Sequence, residues 1–188
     1  MDTTETRIRI RPSTVTLAGI LQLLFAAGFL IAPLAGVVYG ADVQAAAEAE
    51  LARQGLDPAV LAQNNIHFDE GGYALFLPVG TAVVAALLAG LNLAGKRAGW
   101  VLTLVIQPLF LVLDIFILIS EASRVEYLQS FLGAGADAQA VINAASNVYP
   151  GWLLAVTDVR QLCTFAASAT VVVLLLLPSA RAFFRKGA

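Results

Sequence analysis

Asp114, set in the apolar run LFLVLDIFILIS, is the residue of this sequence best placed to do chemistry. A carboxylate at membrane depth is expensive and faces either a partner or a water-filled cavity. Such a group serves in an ion pair, a protonated hydrogen bond or a wetted cleft; it carries a proton or cation; or it meets another subunit. Counted from the inner ends of their helices at ~1.5 Å per residue, Asp114 lies at ~21 Å, level with Thr164, and Arg160 at ~27 Å. Side chains tilt toward the helix N-terminus, so Asp114 leans inward and Arg160 outward, which works against a direct ion pair.

Gln22 and Gln107 form a second candidate constellation, each ~10 Å from the inner boundary on helices running the same way. An amide alone in lipid is costly, and an interhelical hydrogen bond is worth ~1 kcal/mol. Pairing between them is expected, with a polar step in a transport path as the alternative. Pro108 follows Gln107, removes a backbone donor and is expected to kink that helix. Asp158 and Gln161 share a helix face near the outer interface, where they meet solvent, a polar head group or a partner loop.

Metal, redox and nucleophilic chemistry find little here. His67, Asp69 and Glu70 cluster, but the chain has one histidine and one cysteine, Cys163. That excludes zinc clusters, paired-histidine haem, disulfides and the paired cysteines of four-helix quinone reductases within one copy. Cys163 reads as a small packing residue. No catalytic residues, metal site or cofactor are expected, because no nucleophile with a base and no phosphate-cradling loop is present. Nucleic acid is not an expected partner.

The elements that must position these residues are membrane helices. A composition of 59% hydrophobic and 13% charged residues, with a mean hydropathy of +0.81, does not suit a soluble globule. Four stretches can cross ~30 Å of hydrocarbon: residues 15–39, 73–95, 100–120 and 152–178. The first follows Arg7, Arg9 and Arg11 as a signal peptide would, but its apolar stretch is longer than a signal core, so a retained helix is expected. The expected fold is a single all-α membrane domain over 1–188, a four-helix bundle of two hairpins with short helices in outer loops 40–72 and 121–151.

Eight of the eleven basic residues flank the termini and the 96–97 turn, while eleven of the thirteen acidic residues lie on the opposite side or in the outer halves of the helices. The positive-inside rule then places both termini in the cytoplasm. In the first outer loop, Ala41 to Gln54 favours helix, and Asp57 with Pro58 reads as the cap and first position of another, ending near Asn64 and Asn65. In the second, the third membrane helix is expected to run on until Gly133 and Gly135, and Asp137 to cap a helix reaching about Ser146. The two capped segments resemble each other, as an internal duplication of one hairpin would produce.

Small residues mark candidate packing surfaces: Ala82, Ala86, Gly90 and Ala94 on the second helix, and Gly28, Ala32 and Gly36 on the first. Close packing inside the bundle is expected of both, with a partner's helix as the alternative. The leading functional expectation is a non-catalytic accessory or scaffolding subunit of a larger complex in a bacterial inner membrane, associating with lipids and with other integral subunits or itself. A homo-oligomeric small-molecule or lipid transporter using Asp114 and Arg160 is the alternative, and an outer-face sensor a weaker one. Richness in Ala, Val and Leu points to a GC-rich bacterial genome.

Overall fold

The computed structural model describes residues 11–68 and 75–185. The described chain is all α: α1 (Ser13–Arg53), α2 (Ala59–Gln63), α3 (Phe76–Leu93), α4 (Arg97–Ala122), α5 (Arg124–Leu132), α6 (Ala138–Ser146), α7 (Gly151–Leu176) and α8 (Pro178–Arg185). Helices α1, α3, α4 and α7 are long and apolar enough to cross a membrane. They form a ring in which α1 packs on α3 and α7, and α4 on the same two. Across the ring, Phe25 of α1 stacks on Phe110 of α4 with centroids 5.3 Å apart.

The first span and the Ala/Glu-rich run are one helix rather than a span followed by a loop helix. At 41 residues, α1 is ~62 Å long, about twice the hydrocarbon thickness. Pro33 lies inside it without ending it. What ends it is Gly55, whose φ of +79° lets Leu56 donate back to the Leu51 carbonyl and Gly55 to that of Ala52. The same arrangement at Gly95 closes α3 and turns the chain tightly into α4. Asn65, also at positive φ, ends α2 where expected.

The projecting part of α1 is the mast of a small cap. Val43, Ala47 and Leu51 bury against Leu61 of α2, Phe68, Leu128 of α5, and Ala138, Val141, Ile142 and Ala145 of α6. Asp57 accepts from the Ala59 amide at 2.9 Å, so it caps α2 as its sequence suggests. The third membrane helix breaks at Ser123, ahead of the expected stop, and α5 then runs to Gly133, which has φ +80°. The capped segments differ in length, five residues in α2 against nine in α6.

At the opposite end, Pro178 stops α7 and the chain folds back as α8, an element not expected from sequence. Ala180 and Phe184 of α8 bury against Val15, Ala18, Val171 and Leu175. The Leu175 carbonyl, near the terminated end of α7, accepts from the Trp100 indole at 2.9 Å. A helix end buried in this way needs such a donor. The expected starts at Tyr73 and tail residue Lys186 lie outside the described residues, as do Arg7 and Arg9.

Asp137 accepts from the Ala140 amide at 2.9 Å and its own amide donates to Gln54 Oε1 at 2.7 Å, so one residue both caps α6 and ties it to α1. Asp137→Ala should cost about 1 kcal/mol of stability, the usual worth of such a cap. Hydrogen exchange of residues 138–146 should rise while the amides of α3 and α4 keep their protection.

Candidate functional site

The bundle interior holds two polar layers separated by an aromatic one. In the first layer Gln22, Asn92, Thr103, Gln107 and Ser168 are completely buried. Gln22 Nε2 donates to Gln107 Oε1 and to Thr103 Oγ, each at 3.3 Å. Asn92 Nδ2 donates to Gln22 Oε1 at 3.0 Å and to Thr103 at 2.8 Å, and Gln107 Nε2 donates to Ser168 Oγ at 2.8 Å. All four membrane helices contribute. The matched depths of Gln22 and Gln107 correspond to a direct bond, but Asn92, Thr103 and Ser168 escaped sequence reasoning. A signal existed for each: Thr103 is one helical turn before Gln107, Ser168 one turn after Thr164, and Asn92 is the last strongly polar side chain of its helix.

Phe110 follows Gln107 by one turn and precedes Asp114 by another. With Phe25 and Phe29 it forms a buried aromatic layer, the Phe25 and Phe29 centroids lying 4.7 Å apart. No hydrogen bond crosses from one polar layer to the other among the described residues.

The second layer is built on Asp114, which is fully buried. Its Oδ1 accepts from the Thr164 hydroxyl at 3.4 Å, a long bond, and its backbone carbonyl accepts from Gln161 Nε2 at 3.3 Å. Oδ2 is buried with no partner. Arg160 does not approach it within ion-pair distance, as the opposed tilts of the two side chains imply. The Arg160 stem instead lies over Gly28, where an added Cβ would meet Thr164 Cγ2 at 3.1 Å and Arg160 Cγ at 3.4 Å. Its Nε is buried and unpartnered.

Asp158 and Gln161 therefore part company. Gln161 turns into the bundle, while exposed Asp158 borders a pocket of about 280 Å³ beneath the cap, with Glu121, Arg124 and Tyr149. Arg124 sits 3.7 Å from Glu121 and 5.5 Å above the Phe68 ring. Cys163 is exposed on the lipid-facing side of α7 rather than packed. No group of three metal-ligating side chains gathers among the described residues; Asp69 and Glu70 lie outside them.

The two small-residue stripes also differ. On α1, Gly28 and Gly36 are buried and Ala32 partly so, Gly28 lying against Thr164 and Arg160 of α7. On α3 only Ala82 is buried; Ala86, Gly90 and Ala94 face outward, and a Cβ on Gly90 would meet nothing within 4 Å. Packing inside the bundle, the expected role of this stripe, is thus corrected for three of its four members. The reason is the period: each four-residue step advances about 40° around a helix of 3.6 residues per turn, so the stripe winds off the core. The face that packs is Thr81, Ala85, Leu88, Ala89 and Asn92, with Ala82 at its edge.

Removing one member of the first layer should leave its partners unpaired. Gln107→Leu and Gln22→Leu should each cost about 1–3 kcal/mol. Together they should cost less than the sum, because the mutual bond is lost only once. Reversible unfolding of both single variants and the double variant in detergent measures this; strict additivity would mean the amides act independently.

No family model matches this chain, and no curated protein and no solved structure matches it either.

Proposed function

We propose that this protein is a non-catalytic subunit of a larger assembly in a bacterial inner membrane, with both termini cytoplasmic, joined to other integral subunits or to further copies of itself through the outward face of α3. The observation that carries this reading is the exposed stripe Ala86, Gly90 and Ala94, with open space where a Cβ on Gly90 would stand. Association between helices in lipid relies on close backbone approach, and small residues permit it. The two interior layers support the same reading, because their polar groups hold the four helices to one another. The uneven distribution of basic residues supports the orientation.

Gly90→Leu is the direct test. The variant should fold like the wild type, because the added side chain enters open space, but it should lose whatever integral subunit or second copy the wild type retains on purification in mild detergent. Mass spectrometry of the copurified chains reads the result. Full retention by Gly90→Leu would remove α3 as the contact.

Transport remains the second reading, favoured by one observation: Asp114 Oδ2 and Arg160 Nε are both buried without partners. Under the subunit reading, Asp114→Asn keeps an acceptor of similar shape and should retain thermal stability and the cellular phenotype. A well-folded Asp114→Asn protein with a null phenotype would put proton or cation handling ahead of assembly.

A further inference from the structure

The lipid-facing side of the bundle carries a groove of about 880 Å³ between α1 and α7, on the opposite flank of α1 from α3. Leu24, Phe25, Val159, Cys163 and Ala166 give it apolar walls, and Arg160 is its one charged lining residue. Among the described residues Arg160 makes no hydrogen bond or ion pair. Asp114 is engaged with Thr164 inside the bundle, and Asp158, the nearest exposed carboxylate, borders the pocket beneath the cap. Asp114 is near enough for the two charges to feel each other but makes no bond to the guanidinium, so the hydrogen-bonding capacity of Arg160 at membrane depth is open to an anion from outside.

Depth narrows the class of that anion. Arg160 stands 16 residues from Leu176, the last residue of α7, or ~24 Å along a helix crossing ~30 Å of hydrocarbon. Its side chain tilts toward the α7 N-terminus, so the guanidinium reaches the head-group boundary on the cap side. The groove extends five residues from Arg160 toward the cap, to Ala155, and ten residues the other way, to Thr170; the longer arm is ~15 Å, or one leaflet of that ~30 Å core. A charge at the head-group level above one leaflet's depth of apolar wall matches a phospholipid. The planar guanidinium fork also suits a phosphate better than a single point contact would.

We propose that the α1/α7 groove is a binding site for one anionic phospholipid, with an acyl chain along α7 and the phosphate held by Arg160. This is independent of the reading of α3 as a subunit contact, since the two sites lie on different helix faces. The test uses the full chain purified in detergent, incubated with equal amounts of phosphatidylglycerol and phosphatidylcholine of identical chains, and read by native mass spectrometry. The wild type should retain one phosphatidylglycerol in clear preference to phosphatidylcholine, because both carry the phosphate but the choline ammonium offsets its charge beside Arg160. Arg160→Gln should bring that preference close to one. Ala166→Phe, at an exposed position of the groove wall, should expel the lipid with Arg160 intact, and Gly90→Leu should retain it.

Equal retention of the two lipids by the wild type would overturn the proposal without any variant being needed. So would an undiminished preference in Arg160→Gln, or phosphatidylglycerol still bound by Ala166→Phe. Displacement of phosphatidylglycerol by an equimolar fatty acid would replace the phosphate assignment with a carboxylate. A dimer that excludes lipid from the groove would assign the surface to a second copy.

Discussion

The structure depends on one constraint: a polar group in hydrocarbon has no water to fall back on, so it must find its partner within the protein. Five buried side chains on four helices meet that constraint together, save for one acceptor, Asn92 Oδ1, which is left without a partner. Gln22 both donates and accepts, so it bonds α3 and α4 at once, and Gln107 passes the chain of bonds to α7. Apolar packing alone tolerates sliding and rotation between helices, because lipid tails are as apolar as leucine. Hydrogen bonds with fixed geometry do not. The five-residue layer therefore sets which faces point inward, and everything on the other faces follows from it: the outward turn of Gly90, the exposure of Cys163 and the groove beside Arg160.

Above the bundle a different force takes over. The cap is held by an ordinary hydrophobic cluster around Val43, Leu51 and Val141, closed by polar ties such as Gln54 to Asp137. Because α1 runs unbroken through both regions, cap and bundle share one backbone and one rotational setting. The pocket bordered by Asp158, Glu121 and Arg124 lies where the two packing regimes meet.

Much of this was legible in the sequence, and the failures have physical causes. Length and hydropathy located the four spans, because crossing hydrocarbon imposes a minimum run. Asp57 and Asp137 announced their helices, because an aspartate cap acts over three residues and needs no tertiary context. Gln22 and Gln107 were matched by depth. Thr103 and Ser168 were not, since a small hydroxyl in an apolar helix looks the same whether it bonds its own backbone or a neighbour. The Ala86, Gly90 and Ala94 stripe was assigned inward from size alone, whereas the core direction of α3 is set by Asn92 and the apolar residues that recur with it. Helix α8 was hidden by its basic residues: Arg181 and Arg185 mark the membrane boundary, while Ala180 and Phe184, each one position before them, bury against the bundle.

The span of the central bonds along the chain has a consequence for how the protein is made. Gln22 lies 70 residues before Asn92, 81 before Thr103 and 85 before Gln107. At ~5–20 residues per second, synthesis delivers the first of these partners roughly 4–14 s after Gln22 itself. During that interval α1 has only its apolar surface and its Ala/Glu-rich mast to hold it in place, and its amide is unpaired or borrowed by a neighbour. The α3/α4 hairpin then arrives and pairs that amide, and completion of the bundle is later still, because Ser168 of α7 follows Gln107 by 61 residues. A substitution that hinders that arrival lowers the number of chains that finish folding, while those that finish are as stable as before.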